Sequence, residues 1–348
     1  MLGDQEESGK FGQIFSGLLQ DKIEDRLQKK EQIILLQNRR GYSPVVRCGD
    51  CGDIVMCPQC KVALTYHRRG SQLICHCCGH FETKQREACR SCQSPNMKYS
   101  GTGTQRVESL IEETFPDARL GRLDMDTART GSGLTKILKD FSDGKLDILL
   151  GTQMIAKGLD FPNATLVGII NADLGLHLPD FRAGERIFQL IYQASGRAGR
   201  RLKPGEVVIQ TYVPDNPVIK NAAKLDMMKY YNIALSERNE LKYPPFSWLA
   251  KIEITGQNQT SANSLSERIA KALKGKYKGL DVLGPSSCYL EKLRNNYRFQ
   301  IVFKSLKKVD PNGQKLHQFI TNNFRDFQKK YRPGKNRINI HFDPLSLI

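Results

Sequence analysis

The stretch Asp147-Ile148-Leu149-Leu150-Gly151-Thr152-Gln153-Met154-Ile155-Ala156-Lys157-Gly158-Leu159-Asp160-Phe161 starts as an uninterrupted apolar strand and passes at Gly151 into a polar turn punctuated by glycine. A strand without polar alternation is buried on both faces, which points to a parallel sheet covered by helices. The same pattern recurs at Ile33-Ile34-Leu35-Leu36 and at Leu166-Val167-Gly168-Ile169-Ile170, and Glu206 to Tyr212 reads as a last strand. Helical spacing lies between these strands. Phe11, Ile14, Phe15, Leu18, Leu19, Ile23 and Leu27 recur at three and four, a second helix opens after Gly101-Thr102-Gly103-Thr104, and others cover 134–141 and 184–194. With a short strand near 118–123, the pattern predicts an α/β lobe built on a parallel sheet.

A cysteine block interrupts this lobe. Eight of the ten cysteines form four Cys-x-x-Cys pairs: Cys48/Cys51, Cys57/Cys60, Cys75/Cys78 and Cys89/Cys92. Each such turn sets two sulfurs on one side of a tight loop, half of a tetrahedral zinc site, so four turns predict two zinc ions in closed, structural sites. Reduced buried cysteines or a disulfide scaffold are the alternatives, and even spacing in four pairs disfavours both. The segment between Cys60 and Cys75 reads as a β-hairpin, Val62 to His67 and Gln72 to Ile74 around Arg68-Arg69-Gly70-Ser71. A hairpin with a Cys-x-x-Cys at each open end is a zinc ribbon. The inner pairs Cys57, Cys60, Cys75 and Cys78 should then share one ion, and the outer pairs Cys48, Cys51, Cys89 and Cys92 the other. Cys77 is surplus, and replacement of a sulfur by His76 or His80 is not needed.

The net charge is +17, and the last 78 residues carry 17 Lys/Arg against 5 Asp/Glu. A one-sided excess beside zinc knuckles favours a polyanion, nucleic acid first. Apolar runs are too short to cross a membrane, and the Met1-Leu2-Gly3-Asp4-Gln5-Glu6-Glu7 start lacks a targeting pattern, so a soluble, cytoplasmic protein is expected. Beyond Tyr243-Pro244-Pro245 the order is strand 248–255, helix 261–274, strand 281–283, strand 298–303, helix 314–331 and strand 338–342. This βαββαβ order predicts an α+β ferredoxin-like domain.

Two segments carry chemistry. Gln193-Ala194-Ser195-Gly196-Arg197-Ala198-Gly199-Arg200 resembles motif VI of superfamily-2 helicases, and Gly151 to Phe161 resembles their motif V. Arginines place positive charge where it builds up negatively on a γ-phosphate, and glycines admit phosphate close to the backbone. Together with Asn38-Arg39-Arg40-Gly41-Tyr42 before the cysteine block, Asp180-Phe181-Arg182-Ala183, Pro244-Pro245, Leu283-Gly284-Pro285 and Asp343-Pro344, these segments resemble the primosomal replication-restart helicases, the PriA or primosomal protein N′ family. The resemblance runs from about residue 10 to the last residue.

The resemblance implies a RecA-like second helicase lobe over 10–47 and 99–217, an inserted double zinc-ribbon module over 48–98, a helical linker over 218–243 and a DNA-binding domain over 244–348. It implies Arg197 and Arg200 at the triphosphate with Gln193 beside them, Gly158 and Asp160 at the nucleotide cleft, and Thr152, Gln153 and Lys157 near the DNA track. The family's zinc pairing agrees with the nested one. Lys292, Arg294 and Arg298 are the DNA-contact candidates of the C-terminal domain. No Gly-x-x-x-x-Gly-Lys-[Ser/Thr] loop or acidic Mg²⁺ motif is found, so the chain is expected to be the C-terminal half of the enzyme, with ATP and Mg²⁺ bound only alongside a first lobe. Expected partners are forked or single-stranded DNA, primosome proteins and single-stranded DNA-binding protein. The alternatives are a non-enzymatic zinc-ribbon nucleic-acid-binding adapter and the second lobe of a reverse-gyrase or RecG-like translocase, which the eight-cysteine insertion disfavours.

Overall fold

A computed structural model describes residues 14–37, 45–58, 63–67, 72–75, 78–82, 88–100, 104–123, 131–151, 161–176, 178–196, 204–273 and 277–348. The described residues group into two compact units. One holds those up to 43, from 100 to 177 and from 183 to 231; the other holds 44–99, 178–182 and 232–348.

The first unit contains α1 (Gly17–Gln28) and β1 (Gln32–Leu36). The second continues with β2 (Val45–Cys48), β3 (Thr65–His67), β4 (Gln72–Ile74), β5 (Phe81–Glu82) and β6 (Met97–Ser100). Chain order then gives α2 (Thr104–Thr114), β7 (Leu120–Leu123), α3 (Gly131–Ser142), β8 (Ile148–Gly151), β9 (Ala164–Ile169), α4 (Asp173–Leu176), α5 (Ala183–Ser195), β10 (Glu206–Ile209), α6 (Pro217–Ala223) and α7 (Met227–Glu240). The C-terminal residues form β11 (Ser247–Gly256), α8 (Gln259–Leu273), β12 (Leu280–Leu293), β13 (Asn296–Leu306), α9 (Gln314–Lys330) and β14 (Arg337–Phe342).

The first unit is the expected α/β lobe. Its sheet runs β10-β9-β1-β8-β7, all parallel. β1, β8 and β9 are buried at every position, as a sheet with two covered faces requires. Phe15 just before the first helix, Leu19 and Ile23 from that helix and Val107 and Ile111 from the second pack on Ile33, Leu35, Ile148, Leu150 and Leu166. The first helix starts where Ser16 Oγ accepts the N–H of Leu19 at 3.3 Å. Buried Gln210 ties that start to the sheet, accepting from Ser16 N at 2.7 Å and donating to the carbonyls of Ile14 and Ile170 at 2.9 and 2.6 Å.

In the second unit the C-terminal sheet has the order β12-β13-β11-β14, all neighbours antiparallel, with α8 and α9 on one face. This is the predicted ferredoxin-like arrangement. One strand is much longer than its apolar core suggested: β12 continues through Gly284-Pro285 to Leu293, absorbing the interruption as register shifts against β13 between Leu283 and Ser286 and between Ser287 and Lys292. The segment 178–182 joins this unit although it lies in sequence within the lobe. Asp180 accepts from Ser346 Oγ at 2.5 Å and Leu347 N at 3.3 Å, and Phe181 stacks on Tyr243 with ring centroids 4.9 Å apart. Tyr243, Leu249, Val302 and Leu347 complete that small core.

Candidate zinc centres and nucleic-acid interface

The cysteine module is a five-stranded sheet, β5-β4-β3-β2-β6, around Val46, Val55, Leu64 and Leu73. Each described Cys-x-x-Cys turn is shaped by the residue after its second cysteine. Gly52, Gly79 and Gln93 all have left-handed backbones, with φ of 75°, 81° and 61°. The turns close with Cys48 N on Asp53 O at 2.7 Å, Cys75 N on His80 O at 2.8 Å and Cys89 N on Ser94 O at 2.8 Å.

These turns bring the sulfurs together in two groups. Cys48, Cys51, Cys89 and Cys92 form one and Cys57, Cys75 and Cys78 the other, and within each group all sulfurs lie within 4.8 Å of one another. This is the nested pairing expected from spacing. Cys60, Cys77 and His76 lie outside the described residues. His80 belongs to neither group and stands 3.8 Å from Glu82. Peptide N–H groups of Asp50 and Ser91 point at the sulfurs of Cys48 and Cys89, each at 3.4 Å. Carboxylates brace the outer group across its two turns: Asp53 accepts from Ser91 Oγ at 2.7 Å and Asp50 from Asn96 Nδ2 at 2.6 Å.

The donor set of the outer group suits a cation. Burial pushes the Cys48 thiol up, but the N–H groups of Cys51 and Asp50 outweigh it and bring it down to about 7, while burial and the neighbouring sulfurs push Cys51 up to about 12. One thiolate forms readily and the next is opposed by it. Four adjacent sulfurs can all be anionic only around a cation, and a closed all-sulfur tetrahedron suits zinc.

In the lobe, the carboxyl ends of β1, β8 and β9 sit side by side, with Gln37 N on Gly151 O at 2.8 Å and Ile170 N on Leu36 O at 3.0 Å. Crevices at such strand ends are where open α/β sheets hold ligands. Thr152, Gln153, Lys157, Gly158 and Asp160 follow directly from β8 but lie outside the described residues, as do Arg197 and Arg200 just past α5. Gln193 is described, half-exposed on the last turn of α5.

The three basic candidates of the C-terminal domain separate. Lys292 and Arg294 are exposed at the β12–β13 turn, where Arg294 and Asn295 take φ of 48° and 63°, as a tight two-residue hairpin requires. Lys292 Nζ stands 4.8 Å from the centre of the Tyr297 ring. Arg298 is different. Its side chain is 14% exposed and grips Glu253 through two contacts, Nε to Oε1 at 3.2 Å and Nη2 to Oε2 at 3.0 Å. A guanidinium held bidentately in a low-dielectric site has no reason to leave it for phosphate, so Arg298 is withdrawn from the DNA candidates. The contiguous Lys292, Arg294 and Arg298 pattern could not reveal this, because Glu253 is 45 residues away.

The family profile described as primosomal protein N C-terminal domain matches residues 239–345, helicase conserved C-terminal domain matches 100–201, and PriA DNA helicase Cys-rich region matches 57–82. The chain belongs to the PriA family. It is 43% identical over 320 residues to the replication restart protein PriA of Bacillus subtilis, covering 91% of this chain and 39% of that protein. The PriA proteins of Treponema pallidum and Synechocystis are 39% and 37% identical over 96% of the chain, which covers 50% and 40% of their lengths. The chain therefore corresponds to the C-terminal part of PriA and spans half or less of these relatives. Among the described residues no helix is long and apolar enough to cross a membrane.

Proposed function

We propose that the chain supplies the second motor lobe, zinc module and DNA-binding domain of an ATP-dependent 3′→5′ DNA helicase that acts at stalled or branched forks in replication restart and primosome assembly. The observation that carries this reading is the junction of a motif V-like segment with the end of β8 and a motif VI-like segment with the end of α5, in a chain that also holds the PriA cysteine module. In this reading Arg200, with Arg197 and Gln193 beside it, meets the γ-phosphate of a nucleotide held with Mg²⁺ by a first lobe. Gly158 and Asp160 line the cleft, and Thr152, Gln153 and Lys157 face the DNA. Two zinc ions sit in the nested cysteine sites. Primosome proteins and single-stranded DNA-binding protein are the proposed partners, and the cell interior is the proposed location.

Arginine donors stabilise transition-state charge only on a nucleotide already held in place, commonly by factors of about 10³ or more. The isolated chain should thus hydrolyse ATP at background rate. Adding the first lobe of the Bacillus subtilis relative should produce DNA-stimulated hydrolysis that Arg200→Ala removes. Strong DNA-stimulated hydrolysis by the chain alone would overturn the assignment, and the same salt-sensitive DNA binding with no hydrolysis under any pairing would favour the adapter.

A further inference from the structure

Between α4 and α5 the chain passes for five residues, Leu178–Arg182, into the second unit. Asp180 holds this strap there. Its carboxylate is buried and works in two directions: Oδ2 accepts from Ser346 Oγ at 2.5 Å and from Leu347 N at 3.3 Å, while Oδ1 accepts from Arg182 N at 2.9 Å. Hydrogen bonds to an ionised acceptor are roughly twice as strong as those between neutral groups. One carboxylate therefore ties the C-terminal tail to the backbone that leads into α5.

Phe181 is gripped as firmly. Its ring stacks on Tyr243 with the planes 7° apart, and the guanidinium carbons of Arg238 and Arg182 stand 5.0 and 5.1 Å from its centre. Arg238 is itself held, Nη1 donating to Pro244 O at 2.8 Å, and Tyr243 carries the Lys304 ammonium 3.5 Å from its ring centre. Ring stacking and cation–π contacts add to what burial alone contributes. A short link between two helices of one lobe needs none of this anchorage, since such connections normally run free over the surface.

The residue after the strap begins α5. Arg182 and Ala183 are consecutive, so whatever holds the strap holds the first residue of the helix. The helix has no slack in which to absorb a displacement. A Cβ on Gly184 would meet Tyr230 Oη at 3.0 Å and Val218 Cγ2 at 3.2 Å, and Ile187, Phe188, Leu190, Ile191 and Ala194 are buried along its length. Close-packed elements shift as bodies and do not stretch. The rod is about 20 Å long at ~1.5 Å per residue, with Gln193 on its last turn and Gly196-Arg197-Ala198-Gly199-Arg200 following in sequence. We propose that the C-terminal tail and Asp180 form a latch that fixes the start of α5, and through it the approach of Gln193, Arg197 and Arg200 to a nucleotide. Asp180 is thus a positioning residue, and Ser346 and Leu347 are its partners.

The proposal rests on the nucleotide-facing reading of the motif VI-like segment, and one arm of its test does not need that reading. Zinc-loaded D180A, D180N and S346A chains are compared with I252V, which thins the helix-facing core of the C-terminal sheet without touching the strap. In amide exchange of the chains alone, D180A should speed exchange across residues 183–195 roughly threefold or more. S346A should do so less, D180N should stay nearer wild type because it keeps an acceptor oxygen, and I252V should leave the helix unchanged. With the first lobe of the Bacillus subtilis relative added, D180A should lower DNA-stimulated kcat at least about tenfold with KM for ATP within about twofold, as misplaced reacting groups do and lost substrate binding does not. Wild-type exchange across 183–195 in a D180A chain that loses protection only at 343–348 would overturn the latch, as would I252V matching D180A in both readouts. A wild-type pairing without hydrolysis would sink the nucleotide reading alone, and the exchange arm would still decide the latch.

Discussion

Among single residues, the cysteines carry the plainest consequence. The outer group has Cys51 and Cys92 exposed and Cys48 and Cys89 buried, while of the described inner cysteines Cys57 and Cys75 are buried and Cys78 is half-buried. Purified, reduced protein should contain two zinc ions per chain by metal analysis. Cys51→Ala should leave one, because three thiolates and an open edge hold zinc far less tightly than a closed tetrahedron. A wild-type content near one would dissolve the nested-pair assignment. The second residue-scale prediction concerns Glu253. Burial raises its carboxyl pKa, but the hydrogen-bonded Arg298 together with Lys251 outweighs burial and holds it below the usual carboxylate range. A depressed folded value means that the stabilisation is complete above the unfolded pKa of about 4.3 and is lost as pH falls through the folded one. Glu253→Gln strands a charge that is 14% exposed, so it should cost about 2–4 kcal/mol near pH 7. That difference from wild type should shrink below pH ~4 in paired thermal melts, and a constant difference across pH would argue that packing, not charge, is lost.

Packing of elements sets two further expectations. A Cβ added at Gly168 on β9 would meet Leu35 Cδ2 at 2.7 Å and Leu19 Cδ1 at 3.0 Å, so the first helix lies directly on the backbone of the sheet there. Gly168→Val should destabilise the first unit by about 1–3 kcal/mol through overpacking, read in denaturant midpoints. At the other end of the chain, Leu347 is 2% exposed among Tyr243, Leu249 and Val302. Removing residues 346–348 opens that core and takes both Ser346 Oγ and Leu347 N from Asp180. A loss of about 2–4 kcal/mol is expected for the second unit, mostly from the vacated leucine site. A truncated chain that unfolds like the intact one would show the tail to be passive.

Across the whole molecule, charge is distributed by structure as much as by count. The C-terminal excess of basic residues is visible in the sequence, yet its geometry is set by strand pairing. Register puts Arg337 in the row of Thr255 and Lys292 in that of Tyr297, on opposite faces of the sheet, and Arg298 leaves the exposed set because β11 brings Glu253 to it. A salt titration of the intact chain should therefore report a small number of phosphate contacts, well below the +17 net charge, since counterion release follows contacted phosphates and not total charge. A slope approaching the full charge would mean diffuse association without a defined surface.

The sequence by itself determined what depends on local spacing. Unbroken apolar runs at Ile33–Leu36, Ile148–Leu150 and Leu166–Ile170 specify a parallel sheet because no half-exposed strand tolerates them. The seven described cysteines of the Cys-x-x-Cys pairs group as their spacing predicts, because a hairpin of set length joins the inner two turns, and the βαββαβ order specifies the C-terminal sheet. The tertiary structure decided what depends on residues far apart in the chain. The extension of β12 past Gly284-Pro285 follows from its pairing with β13, the place of Phe181 from its stacking on Tyr243, and the state of Arg298 from a carboxylate 45 positions away. Periodicity records which side of an element is buried. It does not record what lies opposite, and that opposite partner decides whether an arginine is held within the fold or exposed at the surface.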